Sequence, residues 1–222
     1  MTGTLYLVST PIGNYRDITL RAIDILKQAD AVICEEFRQG STILKKVGVG
    51  KKDLIQLNEH NEEEESELIA REILVGKTYA LISDCGTPAF ADPGTNLVRT
   101  CIAYSIPVVP IPGPSSVMTA LSLSPLPLEE FYFAGFLPRK TEVRKQHLQR
   151  LRNLQVSLVI MESPYRLTKL LDEICRVFGK GQLITLAYNL TMEGERIYHN
   201  TAAAIQKAVK NKKGEFVLIV HR

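Results

Sequence analysis

Apolar residues in the first half of the chain come in short runs closed by Gly, Pro or polar positions. Each run is followed by a stretch in which they recur every three or four residues. A short run bounded by turn formers is the pattern of a strand buried on both faces, and the longer spacing is that of a helix with one face turned to a core. Residues 5–9, 31–34, 78–83 and 107–111 are therefore predicted strands, and residues 18–28, 62–75, 95–104 and 115–123 predicted helices. Strands that alternate with helices in this way make an α/β fold around a largely parallel sheet. The stretch Ser124-Pro125-Leu126-Pro127-Leu128 interrupts the alternation, because its two prolines forbid both ladder pairing and a helix interior. It is read as the linker between a domain of residues 1–123 and a second of residues 129–222. In the second, residues 131–136, 156–161, 183–187 and 215–220 are predicted strands, and residues 141–154, 164–178 and 201–212 predicted helices.

Three predicted strands of the first half end in loops rich in Gly and Pro. These are Ser9-Thr10-Pro11-Ile12-Gly13-Asn14, the long loop from Ser83-Asp84-Cys85-Gly86-Thr87-Pro88 to Asp92-Pro93-Gly94, and Pro110-Ile111-Pro112-Gly113-Pro114-Ser115-Ser116. Glycine lets a ligand approach the main chain, and proline holds the loop in shape. Taken singly each loop is as well read as a sharp turn. Together they predict one small-molecule pocket at the carboxyl edge of a sheet.

Composition adds limits more than detail. With 222 residues and 45% hydrophobic content the chain can build real cores, and its net charge of +3 is too small to announce a nucleic-acid partner. Where the charge sits matters more. An acidic block at Glu62 to Glu65 follows Asn61, which can cap a helix whose first turn favours acids, and it is read as a solvated first turn. The basic run from Arg139 to Arg152 keeps Val143, Leu148, Leu151 and, just beyond it, Leu154 on an approximate helical face and fills the rest with bases. A solvated helix face and a grip on phosphates are both open to it. The four cysteines Cys34, Cys85, Cys101 and Cys175 show no C-x-x-C spacing, so free thiols in a reducing cytoplasm are expected. No basic leader and no apolar run of ~18 residues is present, so the expectation is a cytoplasmic protein, neither exported nor membrane-bound.

The chain resembles the tetrapyrrole methylase superfamily, and within it the branch that methylates a cytidine ribose 2'-hydroxyl in 16S rRNA with S-adenosylmethionine. The strings that carry the resemblance run in family order: Thr10-Pro11-Ile12-Gly13-Asn14, Glu59-His60-Asn61, Ser83-Asp84 with Gly86-Thr87-Pro88 and Asp92-Pro93-Gly94, Pro112-Gly113-Pro114-Ser115, Gly135-Phe136-Leu137-Pro138, Glu162-Ser163-Pro164 with Arg166, and Lys213-Gly214-Glu215. The resemblance implies two α/β domains with the cofactor in the cleft between them, a homodimer, no metal, and 16S rRNA or the small ribosomal subunit as partner. Carried over by position, it implies cofactor contacts at Ile12, Gly86, Thr87, Phe90, Ser115, Ser116, Met161, Glu162 and Leu190. The G-x-G-x-x-G turn of the commoner dinucleotide and adenosylmethionine folds is absent, which fits a cofactor held in another way.

A ribose hydroxyl is a weak nucleophile, so the reaction needs in-line positioning and gains from a proton acceptor. Glu36 and His60 are the candidate bases, and Arg38 is the candidate clamp on an RNA phosphate, with a plain Glu36–Arg38 ion pair as the competing reading. Arg139, Lys140, Arg144, Lys145 and Arg166 are the candidate RNA contacts. The lack of Trp and of interleaved aromatics speaks against a base-stacking platform. The chain departs from the family at Phe37, at Cys85, and at Tyr188-Asn189-Leu190-Thr191-Met192, where an ionic pair is usual, and it stops at Arg222 without the family's C-terminal helical extension. The rival readings are a sibling that methylates a tetrapyrrole or other small molecule, and a non-catalytic RNA- or ribosome-binding homologue.

Overall fold

The computed structural model describes residues 2–210 and 212–222. Met1 and Asn211, at the start of the leader reading and inside the last predicted helix, lie outside the described residues. The chain divides into two compact units, Met1–Ser115 and Ser116–Arg222.

In the first unit, strands β1 (Leu5–Val8), β2 (Ala31–Cys34), β3 (Asp53–Gln56), β4 (Tyr79–Ile82) and β5 (Val108–Ile111) form a sheet in the order β3-β2-β4-β1-β5. Every pair is parallel. Helices α1 (Leu20–Gln28), α2 (Phe37–Lys46), α3 (Glu62–Leu74) and α4 (Thr95–Ala103) return the chain from one edge to the other. One face buries Leu5, Ile33 and Leu81 against Ile69 and Ile73 of α3 and Leu97 of α4. The other buries Val8, Val32, Ala80 and Ile82 against Ala22 and Leu26 of α1 and Ile43 and Leu44 of α2. A sheet covered on both sides has no solvent-facing positions in its central strands, which is why β2 and β4 are unbroken apolar runs. Val8 lies opposite both Ile82 and Ile111, so β1, β4 and β5 end level and release their loops at one edge.

The second unit opens with α5 (Ser116–Ser122), which packs on β10 (Phe216–Val220). Its sheet also contains β6 (Phe131–Phe136), β7 (Ser157–Met161), β8 (Leu183–Tyr188) and β9 (Arg196–Thr201), in the order β6-β7-β10-β8-β9. Only β6 and β7 pair in parallel, and the other three pairs are antiparallel. The largely parallel sheet expected of the alternating first half is thus the one found there, and the sheet of the second unit is mixed. Helices α6 (Thr141–Arg152), α7 (Leu167–Val177) and α8 (Ala202–Ala208) cover one face, where Leu148, Leu151, Leu170, Ile174 and Ile205 meet Leu158, Ile160, Leu186 and Leu218. Pro125 and Pro127 lie in a stretch with neither strand nor helix. No helix among the described residues is long and apolar enough to cross a membrane.

The sequence pattern missed β3, α2 and β9. β3 and β9 are edge strands with no fully buried residue, so they lack the apolar run that marks a central strand. α2 buries only Gly40, Ile43 and Leu44, too few to set a period.

Candidate functional site

At the carboxyl edge of the first sheet the Gly/Pro loops are tied to one another. Thr10 and Gly86 exchange backbone hydrogen bonds, with the Thr10 N–H donating to the Gly86 carbonyl at 2.8 Å and the Gly86 N–H to the Thr10 carbonyl at 3.1 Å. The Thr10 hydroxyl donates to the Ser83 carbonyl at 2.9 Å, and the Thr87 hydroxyl to the Pro114 carbonyl at 3.3 Å. Gly86 has a φ of +86°, and a Cβ there would stand 3.4 Å from Cγ2 of the buried Ile12. A side chain at that position would therefore meet a strained backbone and pack directly against Ile12. Among the described residues the main-chain N–H groups of Ile12, Gly13 and Thr87 make no hydrogen bond. Phe90 is exposed on the long loop, while Ser115 closes this unit and Ser116 opens α5.

The long loop is also fixed from α3. The Glu62 carboxylate accepts from the N–H groups of Gly94 and Asn96, both at 2.8 Å, and so caps α4. The acidic block is thus not wholly a solvated first turn. Asn61 occupies the N-cap position of α3 without a side-chain capping bond, and instead accepts from the Asn58 N–H at 2.8 Å and donates to the Gln56 carbonyl at 3.1 Å.

Carboxyls gather where β2 and β4 end. Asp84 follows β4, Glu35 and Glu36 follow the neighbouring β2, and Asp92 accepts from the Ser83 hydroxyl at 2.5 Å. Burial, then the Glu36 and Asp92 carboxylates, push Asp84 above the usual carboxylate range, against a backbone hydrogen bond from Glu36 that pulls it down. Its Oδ1 is buried with no hydrogen-bond partner among the described residues. Glu35 is raised by burial first and then by Asp84, and Asp92 by burial. A carboxyl with a raised pKa is a stronger proton acceptor than an ordinary one, which suits acid–base work near neutral pH. Glu36 itself is exposed at the N-cap of α2. Arg38, in the first turn of that helix, makes no ion pair with it among the described residues. His60 stands apart: its backbone N–H donates to Asn58 Oδ1 at 3.0 Å, and among the described residues its ring has polar contact only with Glu59, at 3.7 Å. Burial pushes the Cys34 and Cys101 thiols up to about 11, which keeps them protonated and unreactive.

In the second unit Arg139, Lys140 and Lys145 are exposed, but Arg144 is not. Its side chain is turned inward and the residue is 1% exposed. Nε and Nη2 donate to the two Glu173 oxygens at 2.7 and 2.6 Å, and Nη1 donates to the Pro138 and Arg139 carbonyls at 3.0 and 2.8 Å. The guanidinium is spent on holding α6 to α7 and to the loop before it, so Arg144 is withdrawn from the set of phosphate contacts. Arg166 is half-buried, paired with Glu162 at 3.1 Å, and donates to the same Pro138 carbonyl at 3.3 Å. Met161 ends β7 and Glu162 follows it, buried, with its other oxygen accepting from the Ser163 N–H at 2.9 Å. Leu190 is buried between Asn189 and Thr191, whose φ values of +50° and +62° are strained for non-glycine residues.

The family model described as Tetrapyrrole (Corrin/Porphyrin) Methylases matches residues 4–206. The chain belongs to the tetrapyrrole methylase family. Among curated relatives, this methylase is 39% identical over 222 residues to Ribosomal RNA small subunit methyltransferase I of Escherichia coli O157:H7, covering 98% of this chain and 77% of that one. It is 35% identical to the protein of the same name from Leptospira biflexa, covering 99% and 91%. Among solved structures, diphthine synthase superposes with a TM-score of 0.78 at 14% identity, covering 99% and 90%. Uroporphyrin-III C-methyltransferase from Thermus thermophilus, complexed with S-adenyl homocysteine, superposes at 0.68 and 18% identity, covering 99% and 98%. These structural likenesses establish the fold.

Asp84 and Glu35 stand beside Glu36 at this sheet edge and were not among the candidate bases of the sequence. Their signal was positional: the first polar residues beyond adjacent central strands of a parallel sheet, where functional groups collect.

Proposed function

We propose that this tetrapyrrole methylase transfers the methyl group of S-adenosylmethionine to a cytidine ribose 2'-hydroxyl of 16S rRNA. The observation that carries the reading is identity of 35–39% over nearly the whole chain to small-subunit rRNA methyltransferases. The tied loops of the first unit suit the cofactor: the unpaired N–H groups of Ile12, Gly13 and Thr87 offer directional donors, and Gly86 leaves the space a Cβ would fill. When bound, the cofactor supplies an electrophilic methyl on a sulfonium. The chain's own task is to place the ribose oxygen and take its proton.

Glu36, and Asp84 with its raised pKa and unpaired buried oxygen, are the proposed acceptors at the sheet edge, with Arg38 as phosphate clamp. His60 is the weaker candidate because it stands among exposed groups. Arg139, Lys140 and Lys145 are the proposed grips on the RNA backbone. The same reading takes the working form to be a homodimer, which sedimentation equilibrium checks. Labelled methyl transfer to small subunits lacking the modification, with the methyl mapped by mass spectrometry, tests the function. Transfer to a cytidine ribose is expected. Transfer only to a tetrapyrrole, or cofactor binding with no transfer at all, would overturn it.

A further inference from the structure

The carboxyl ends of β6 and β7 carry the two most exposed aromatic side chains of the second unit, Phe136 at 55% and Tyr165 at 80% exposure. Phe136 lies opposite Met161 in the parallel pair, so the two strands release their loops at one edge. Tyr165 sits in the 3₁₀ turn Pro164–Arg166 that follows β7, and its backbone is firmly held. Pro164 fixes φ at the first position, the Arg166 N–H donates to the Ser163 carbonyl at 2.9 Å, and the Arg166 side chain is anchored on Glu162 and Pro138. A rigid turn therefore holds a large ring in water. Lys213 Nζ lies over that ring, 5.4 Å from its centroid. The lysine is placed by its neighbour, because a Cβ at Gly214 would collide with the Tyr188 hydroxyl and the Asn189 amide, and the Asn189 N–H donates to the Glu215 carbonyl at 2.8 Å. The exposed Arg139 and Lys140 leave the same edge.

We propose that Tyr165 is a stacking platform for an unpaired base of the RNA substrate, with Lys213 on one face of its ring and the base on the other. Lys213, Arg139 and Lys140 then meet the flanking phosphates. An exposed aromatic ring beside cations is the chemistry that holds single-stranded RNA, since every base has a π-face and every linkage a charge. The inference rests on the RNA reading above and adds a specific contact to it, one that the sequence argued against for want of visible exposed aromatics.

The test compares wild type with Tyr165→Ala, Tyr165→Phe and Lys213→Ala by filter binding to undermethylated small subunits across a salt series, and by their methyl-transfer rates. Tyr165→Ala is expected to weaken binding about 5- to 100-fold, with cofactor affinity, melting temperature and salt slope unchanged. Tyr165→Phe keeps the ring and should hold affinity within about threefold. Lys213→Ala should lower the salt slope by about one phosphate contact. Affinity of Tyr165→Ala within about twofold of wild type, or a loss that Phe does not restore, would overturn the platform while wild-type methyl transfer still upholds the enzyme. A wild type that neither binds nor methylates subunits would bring down the RNA reading and this inference with it.

Discussion

The sheet of Met1–Ser115 is parallel throughout and covered on both faces, whereas the sheet of Ser116–Arg222 has one parallel pair and three antiparallel ones. The parallel sheet sends its loops to a common edge, where backbone groups of Thr10, Gly86 and Pro114 are knitted together and the side chains are acidic: Glu35, Glu36, Asp84 and Asp92. In the mixed sheet β6 and β7 share an edge, and there the exposed side chains are Arg139, Lys140 and Tyr165. One edge is a rigid backbone cradle with crowded carboxyls, and the other is a surface of cations and rings. A pocket for a small ligand needs fixed main-chain donors, while a grip on a polyanion needs charge that reaches outward.

The sharpest way to break the comparison is to remove the crowding at the acidic edge. Asp84→Asn should depress methyl transfer about 10²- to 10⁴-fold with cofactor affinity preserved, the range for loss of a general base, in a single-turnover assay. The same change should stabilise the fold at neutral pH. A carboxyl whose folded pKa is raised binds protons more readily in the native state, so ionising it costs stability as pH rises above its unfolded value, near ~3.9. The advantage of Asp84→Asn in urea unfolding should therefore shrink as pH falls toward that value. A mutant as active as wild type would leave Glu36 as the acceptor.

At the basic edge, Arg144→Ala should cost about 3–5 kcal/mol of stability, because it strands the largely buried Glu173 carboxylate, while Lys145→Ala should change stability by less than about 0.5 kcal/mol. Chemical denaturation of both variants separates the internal charge from the external one. In the cradle, Gly86→Val should weaken cofactor binding at least ~100-fold by calorimetry, about 2.7 kcal/mol, since it forces a branched side chain into a left-handed φ and sets its Cβ in contact with Ile12. A smaller loss than at Arg144 is expected at Glu62→Ala, which removes the cap of α4 and should cost about 0.5–2 kcal/mol in thermal unfolding, unlike Glu63→Ala on the solvated side of the same turn.

By itself the sequence determined the central strands and the loops that follow them. β1, β2 and β4 are legible because a strand buried on both faces must be apolar, β5 at the sheet edge is legible from its Val108-Val109 run, and the loops are legible because close backbone approach demands Gly and a held shape favours Pro. In the second half, where strands do not alternate strictly with helices, it could not give strand direction, since an apolar run is the same read either way, and so the antiparallel pairing of β8, β9 and β10 was decided by tertiary structure. Nor could it sort like from like among charges. Arg144 and Lys145 are neighbours in a basic run, but a helix turns about 100° per residue, and that rotation brings one of them onto Glu173, 29 residues away, and leaves the other in water. Asp84 and Glu62 follow the same rule. Backbone preference and hydrophobicity are local and can be read along the chain, whereas the environment of a charge is set by groups that only folding brings near.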